Sequence, residues 1–321
     1  MTVEVGRVGA DAAEVVHGVI ARAFGSRAPL DPPAAALAET PETVAAALAG
    51  NGGLLASLDG RPLGCLVFGP ERDRALMLTR FGVVPEAQGT GVAGALVAHA
   101  AAEARARGHA GMRVVARAEL PASLAFWEHH GFVRTGRDGV NVTMLRIFDR
   151  RIEMPTAEVA DELGRRLAEV VRAGDLLILS GELGAGKTTL TRGIGAGLEV
   201  RGDVTSPTFV IARVHPPTGS GPALVHVDAY RLGGIDELDD LDLDTSLSEA
   251  VTVVEWGDGV AEGLAEDRLE IRIVRALGAA APAPGASVAT GEEPLDPREL
   301  WLQPVGERWL DADLEKLDLP L

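Results

Sequence analysis

The sequence predicts two α/β domains in tandem, joined near residue 150. Strand-like apolar runs alternate with helical patterns in both halves, an arrangement typical of α/β folds. The length of 321 residues corresponds to about two ordinary domains. Residues 1–150 contain fifteen basic and fifteen acidic side chains, whereas residues 151–321 contain fifteen and thirty-two. Because all of the net charge of −17 lies in the second half, the charge pattern indicates two units of separate origin.

The composition excludes several classes of protein. With 46% hydrophobic and 24% charged residues, the chain is neither disordered nor fibrous. The single cysteine, Cys65, permits no intramolecular disulfide and no cysteine-rich zinc site. No apolar run approaches the roughly 20 residues of a membrane helix, and the start lacks a secretory signal pattern, so we expect a cytoplasmic protein without membrane contact. The acidic second half argues against tight direct binding of nucleic acid.

The first half, residues 1–150, combines strands with four helical segments. The Asp59-Gly60 pair stands between two apolar runs and indicates a β-hairpin. Helical spacing of apolar residues covers 11–24, 32–49, 91–108 and 124–130. Strand patterns cover 1–8, 52–58, 62–69, 74–84, 111–120, 132–137 and 142–148.

The second half, residues 151–321, has fewer helices and longer connections. We expect a junction at 149–155, helices over 156–172 and 187–198, and a flexible insertion rich in Ala, Pro and Gly at 277–297. Strand patterns cover 175–180, 208–214, 223–227, 251–255 and 269–274.

Residues 181–188, GELGAGKT, match the phosphate-loop pattern G-x-x-x-x-G-K-[ST] at every position. The motif follows an apolar strand and opens a helix, as the pattern requires. Its glycines let backbone N–H groups wrap around phosphate, and the helix N-terminus adds partial positive charge. Lys187 would reach the β- and γ-phosphates of a nucleotide, and Thr188 would offer its hydroxyl to Mg²⁺. The predicted ATP-binding residues are Gly184, Ala185, Gly186, Lys187, Thr188 and Thr189.

Two carboxylates complete the candidate nucleotide site. Asp228 follows the strand at 223–227, and Glu255 ends the strand at 251–255. Open α/β sheets bind their ligands at the carboxyl ends of strands, so both side chains are well placed to meet a phosphate loop. A phosphate loop needs such groups from other strands to hold Mg²⁺ and orient the attacking water.

The second half resembles the TsaE family, whose members are ATPase subunits in the bacterial synthesis of threonylcarbamoyladenosine in tRNA. Four segments occur in the family's order: GELGAGKTT at 181–189, VTSPTF at 204–209, HVDAYRL at 226–232 and VEW at 254–256. GERW at 306–309 resembles the family's C-terminal end. The resemblance implies a P-loop NTPase α/β fold, with Lys187 and Asp228 as catalytic residues and Glu255 joining Thr188 at the metal.

The resemblance also implies a switch and partners. Ser206 and Thr208 would belong to a nucleotide-sensing segment, ATP and Mg²⁺ would be the ligands, and a TsaB–TsaD-type complex would be the partner. Two alternatives remain open for this half. One is a small-molecule kinase with a P-loop, and the other is a scaffold that ATP merely orders, without productive hydrolysis.

The first half resembles the GNAT acetyltransferases, which are mixed-sheet α/β domains. The segment QGTGVA at 88–93 follows a strand, opens a helix and fits [RQ]-x-x-G-x-[GA], the turn that binds the pyrophosphate of acyl-CoA in that family. FWEHHGF at 126–132 resembles the family's closing F-Y-x-x-x-G-F. The predicted acetyl-CoA-binding residues are Val83, Gln88, Gly89, Thr90, Gly91, Val92 and Ala93.

Two features leave the chemistry of the first half open. Gly89, Gly91 and Gly94 also fit the dinucleotide fingerprint G-x-G-x-x-G, with Glu119 near the place of its ribose carboxylate. Trp127 stands where many GNAT enzymes have a tyrosine that protonates the leaving thiolate, and an indole N–H is not a usable acid. The adjacent residues His129 and His130 are alternative acids or ordinary surface side chains. The sequence therefore supports binding of acyl-CoA better than catalysis.

Overall fold

The chain folds into two compact units, residues 1–147 and 148–321, each built on its own seven-stranded sheet. The computed structural model describes residues 2–70, 73–207, 211–231, 248–275 and 297–319. Within those ranges, every helix is too short or too polar to cross a membrane. The expected insertion at 277–297 lies outside the described residues except for Pro297, and so does the switch residue Thr208.

The first unit is a mixed sheet with the strand order β1-β2-β3-β4-β5-β7-β6. Of its neighbouring pairs, β4 and β5 are parallel and the others are antiparallel. The predicted hairpin at Asp59-Gly60 joins β2 to β3, and both of its residues have the positive φ that tight hairpin turns need. The strands are β1 Val3–Val8, β2 Gly53–Leu58, β3 Arg61–Phe68, β4 Ala75–Val83, β5 Gly111–Arg117, β6 Val133–Asp138 and β7 Asn141–Ile147.

The helices of the first unit are α1 Ala13–Gly25, α2 Pro41–Asn51, α3 Val92–Ala106 and α4 Pro121–His129. The predicted helix over 32–49 is wrong in its first part, because α2 begins only at Pro41. Thr40 ends the preceding extended chain and forms a capping box with Thr43, which satisfies two free N–H groups. The preceding residues 35–38 form a short 3-10 turn.

The second unit has the strand order β10-β11-β12-β9-β13-β14-β8. Its four central strands, from β11 to β13, are parallel, and the outer strands β10, β14 and β8 pair antiparallel. The strands are β8 Arg150–Met154, β9 Leu176–Gly181, β10 Ala212–His215, β11 Ala223–Asp228, β12 Ala250–Glu255, β13 Arg268–Arg275 and β14 Arg298–Val305. The prediction of two α/β units is confirmed.

Parts of the second unit differ from the predicted elements. The expected junction at 149–155 contains β8, which pairs with β14 at the sheet edge. β14 follows the insertion and has no counterpart among the predicted strands. Residues 208–210 of the strand predicted over 208–214 lie outside the described residues; Ile211 has a left-handed φ of 67°, and β10 runs over Ala212–His215.

Two helices, α5 Ala157–Ala168 and α6 Lys187–Gly197, pack closely against each other. A Cβ on Gly164 would lie 2.3 Å from the Leu190 carbonyl oxygen, and one on Gly193 would lie 2.1 Å from that of Asp161. Glycines at these two points let the helix backbones approach this closely. Thr156 is the N-cap of α5, which ends earlier than the predicted 156–172. This contact fixes α6, whose first turn belongs to the phosphate loop.

Candidate functional site

The phosphate loop lies between the end of β9 and the start of α6. Gly181, Gly184 and Gly186 have φ values of 143°, 75° and 110°, in a region that side chains with a Cβ rarely adopt. Gly186 is the N-cap of α6, so the N–H groups of the first helical turn point out of the helix toward the loop. The glycines thus produce the curved backbone and the helix N-terminus that an anion site needs.

Lys187 folds back over this loop. Its Nζ donates to the carbonyl oxygens of Gly181 and Glu182, at 2.8 and 3.0 Å, and lies 3.6 Å from the centre of the Trp256 ring. Burial lowers the pKa of the Lys187 ammonium, while the charges of Glu255 and Asp228 act in the opposite direction. The loop carbonyls and the indole face compensate a cation that has lost most of its water.

The two predicted carboxylates lie side by side at the carboxyl edge of the sheet. Asp228 and Glu255 are register partners on β11 and β12, and their residues are 4% and 2% exposed. Thr188 Oγ1 donates to Glu255 Oε2 at 2.9 Å, and Thr191 Oγ1 lies 3.3 Å from Glu255 Oε1. The structure therefore brings together Lys187, Thr188, Asp228 and Glu255.

Asp228 connects this edge to the expected switch. Ser206 Oγ donates to Asp228 Oδ2 at 2.9 Å, and the Tyr230 backbone N–H donates to Oδ1 at 3.1 Å. The Tyr230 ring is 63% exposed and lies 5.2 Å from the ring of Trp256, measured between centroids. The described part of the switch thus contacts the same carboxylate that ends β11.

The sequence analysis missed three side chains of this site. Arg298, on β14, donates to the Ala185 carbonyl oxygen at 2.7 Å and so supports the phosphate loop. It lies outside the four segments that resemble the TsaE family. His226 Nε2 lies 2.8 Å from Glu255 Oε1, and Trp256 covers Lys187. His226 and Trp256 stand inside quoted motifs, so their positions were a usable signal, whereas nothing in the sequence marks Arg298.

The site fits a magnesium nucleotide. A threonine hydroxyl and a carboxylate are hard oxygen ligands of the kind that Mg²⁺ takes, and Thr188 and Glu255 already place theirs 2.9 Å apart. The left-handed glycines and the start of α6 fit phosphate, and Lys187 supplies a cation within the same loop. Thr188 and Glu255 are the residues that would hold the metal.

The turn that the sequence predicts to bind acyl-CoA lies between β4 and α3. Gly89 and Gly91 have φ values of 76° and 87°, and Gly91 is the N-cap of α3. The N-terminus of α3 is therefore a second place where free N–H groups are available to a phosphate. Val83 ends β4, and residues 88–91 are exposed.

Strands β4 and β5 separate next to this turn. They pair over Ala75–Leu78 and Gly111–Val114, after which β4 continues to Val83 beside β3 and β5 continues beside β7. Beyond Leu78 and Val114 these two strands no longer pair with each other, and the start of α3 follows the end of β4.

Trp127 is part of the core of the first unit. It is 4% exposed, and its ring lies 4.8, 5.1 and 5.0 Å from the rings of Phe81, Phe126 and Phe132. A tryptophan in this environment contributes apolar packing and no acid.

The two histidines that follow Trp127 differ in their surroundings. His129 is exposed, whereas His130 bonds through Nδ1 to the Phe126 carbonyl oxygen at 2.8 Å and stacks on the Phe126 ring. Glu119, the ribose carboxylate of the dinucleotide interpretation, is paired through both oxygens with Arg117.

Comparison with protein-family models matches both units. Residues 154–279 match the model described as threonylcarbamoyl adenosine biosynthesis protein TsaE, and residues 26–132 match the acetyltransferase (GNAT) family. In the solved structures, the first unit is similar to the PaiA N-acetyltransferase of Thermoplasma acidophilum, crystallised with coenzyme A. The two chains are 15% identical with a TM-score of 0.42 over 46% of this chain and all of that one.

Among curated proteins, the chain is similar to tRNA threonylcarbamoyladenosine biosynthesis proteins TsaE. The Streptomyces coelicolor protein is 62% identical over 157 residues, which are 49% of this chain and 97% of that protein. The Mycobacterium tuberculosis H37Rv protein is 52% identical over 129 residues, which are 38% of this chain and 77% of that protein. The chain therefore belongs to the TsaE family and carries, ahead of its TsaE domain, an acetyltransferase domain of the GNAT family.

Proposed function

We propose that the second unit binds and hydrolyses Mg·ATP in the biosynthesis of threonylcarbamoyladenosine in tRNA. The observation that carries the proposal is the pairing of Thr188 with Glu255 behind a glycine-rich phosphate loop. Such a loop binds a nucleotide through its amides, and the paired oxygens are ligands that Mg²⁺ prefers. The pathway comes from the relatives, which bear the name of a biosynthesis protein for this modified nucleoside.

Each group at the site has a separate task in this proposal. Lys187 would exchange its two loop carbonyls for β- and γ-phosphate oxygens. Thr188 and Glu255 would hold Mg²⁺, which supplies positive charge against the phosphates when it is bound. Asp228, beside Glu255 on the next strand, would orient the attacking water. Phosphoryl transfer depends mainly on positioning and electrostatic stabilisation, and these residues provide both.

The test of this proposal is ATP hydrolysis by the full chain, alone and with a TsaB–TsaD-type complex. We expect slow turnover alone and clear stimulation by the complex. Equal rates would contradict the proposed partner and favour a small-molecule kinase or an ATP-ordered scaffold. Asp228→Ala should keep ATP binding and lose hydrolysis, whereas Asp258→Ala, at an exposed acid beyond β12, is the matched control and should change neither.

We also propose that the first unit binds acetyl-CoA at the start of α3. The support comes from two left-handed glycines that lead into α3 and from the short pairing of β4 with β5, which spans Ala75–Leu78 and Gly111–Val114. Gly91→Ala should weaken acetyl-CoA binding in isothermal titration, because alanine is strained at a φ of 87°. Gly139→Ala is the matched control, since Gly139 also has a positive φ and open surroundings but lies in the β6–β7 turn. Equal affinity of the two variants would contradict this site.

Acetyl transfer is a separate question, tested by turnover of acetyl-CoA on amine-bearing peptides. Because Trp127 cannot protonate the leaving thiolate, we expect binding of acetyl-CoA to be detected more readily than acetyl transfer. Binding without turnover would identify an acyl-CoA-binding domain that lacks catalysis, and turnover would identify an N-acyltransferase.

A further inference from the structure

The carboxylate of Glu255 is buried and has hydrogen-bond partners at both oxygens. Oε2 accepts from Thr188, while Oε1 lies 2.8 Å from His226 Nε2. Thr191 Oγ1 is 3.3 Å from Oε1 and donates over the shorter distance of 3.0 Å to the Lys187 carbonyl oxygen. The Glu255 side chain is 3% exposed and that of His226 is 0% exposed. Burying a carboxylate is costly unless hydrogen bonds replace its water, so these donors are what keep Glu255 in this position.

The sheet register explains why His226 can reach Glu255. His226 pairs with Val253, two positions before the pair Asp228 and Glu255, on parallel strands. Alternate residues of a strand share one face, so His226 and Glu255 lie on the same side of the sheet. Thr188 and Thr191 are three positions apart on α6, so they share one side of that helix and both face Glu255. His226 therefore approaches Glu255 from the neighbouring strand, whereas the two threonines approach it from α6.

The orientation of the imidazole follows from its contacts. Because Glu255 Oε1 accepts, His226 Nε2 carries the hydrogen. Nδ1 is buried and has no hydrogen-bond partner within the described residues. A ring with no solvent exposure cannot contact a nucleotide, so any influence of His226 on the site passes through Glu255.

We propose that His226 is a positioning residue that holds Oε1 of Glu255 and so aims Oε2, beside the Thr188 hydroxyl, at the metal of the nucleotide. This inference rests on the proposed function of the second unit. The donor to Oε1 restricts rotation of the carboxylate, and outer partners of metal ligands act in this way. Loss of such a partner typically reduces metal affinity about 10- to 100-fold.

Two amide variants separate this role from general packing. In His226→Gln the amide nitrogen can replace Nε2 as a donor, whereas in His226→Asn the shorter side chain leaves the amide nitrogen near the position of Nδ1. Both side chains are polar and no larger than histidine, and asparagine leaves more space at this buried position than glutamine does. Circular dichroism and melting temperature establish that each full-length variant is folded.

The measurement is the affinity of a fluorescent ADP analogue in EDTA and across a magnesium titration, without any turnover. We expect His226→Asn to raise the half-saturating Mg²⁺ concentration about 10-fold or more. Affinity in EDTA should stay at the wild-type value, and His226→Gln should restore most of the magnesium response. Glu255→Gln serves as the reference for loss of that response.

The outcomes distinguish the two proposals. A wild-type protein that binds the analogue with no response to magnesium would contradict the proposed metal site itself. A normal wild-type response that His226→Asn leaves unchanged would overturn the role of His226 alone. If the affinity of the His226→Asn variant for the ADP analogue falls equally in EDTA and in magnesium, His226 supports the structure of the phosphate loop, and the inference is also overturned.

Discussion

Replacement of Lys187 by alanine tests the nucleotide site most directly. Lys187 Nζ donates to two loop carbonyls at 2.8 and 3.0 Å. Under the proposed function, nucleotide binding would exchange these neutral acceptors for charged phosphate oxygens, so the gain would be the difference between the two sets of bonds. A hydrogen bond to a charged group is worth about 1.5–3 kcal/mol, and an exchange of this kind corresponds to about one such bond. Since each 1.4 kcal/mol is tenfold, we expect Lys187→Ala to weaken ATP binding about 10- to 150-fold.

The assay is isothermal titration with ATP and Mg²⁺, together with measurement of ATP turnover. Lys316→Ala is the matched control, because Lys316 is the other lysine of the chain and lies exposed, 3.8 Å from Glu169. Turnover should be lost in Lys187→Ala and retained in the control. The melting temperature of each variant establishes that it is folded. ATP affinity within twofold of wild type in Lys187→Ala would refute the phosphate-loop assignment.

Three further predictions concern packing and titration. Gly164→Ala should lower the free energy of unfolding in urea by about 1–3 kcal/mol or more and weaken ATP binding, because its Cβ would lie 2.3 Å from the Leu190 carbonyl oxygen. Gly18→Ala, on α1 with open surroundings, is the control and should do neither. Equal effects of the two substitutions would contradict the close contact of α5 with α6. Burial lowers the pKa of His215, so the unfolded chain binds the proton more readily than the folded protein, and the free energy of unfolding should fall as the pH drops below 6.5. His215→Leu should reduce this dependence of the melting temperature on pH. If the dependence is the same in the variant as in the wild type, burial of His215 is not its cause. Burial raises the pKa of Cys65 to about 12, so at pH 8 about one thiol in ten thousand is ionised, and a thiol reagent should modify the native protein far more slowly than the unfolded one.

The phosphate loop could be predicted from the sequence because its geometry is local. The glycines at 181, 184 and 186, the lysine and the threonine lie within eight consecutive residues, and the strand before them and the helix after them have clear patterns. The start of α3 is local in the same way, with two glycines and a helix in one short segment. Such motifs specify their own backbone, so no distant part of the chain is needed to find them.

The errors in the predicted elements have identifiable physical causes. Helical composition over 32–49 extended the predicted helix across residues that the Thr40 capping box excludes. Polar and apolar residues alternate in the segment 149–155, because β8 lies at a sheet edge, where one face of the strand meets solvent. β14 became recognisable as a strand only through its pairing with β13 and β8.

The sequence by itself determined the two α/β units, the phosphate-loop motif, the glycine turn before α3, and the placement of Asp228 and Glu255 as carboxylates at strand ends. Only the tertiary structure decided which of these groups meet. Thr188 and Glu255 are 67 positions apart, and Arg298 and Ala185 are 113 apart. Their contacts depend on strand order, on the register of β11 against β12 and on the packing of α6 over the sheet. Local patterns encode helices, turns and strands, whereas pairing between distant strands follows from burial of the whole core, which no single segment specifies.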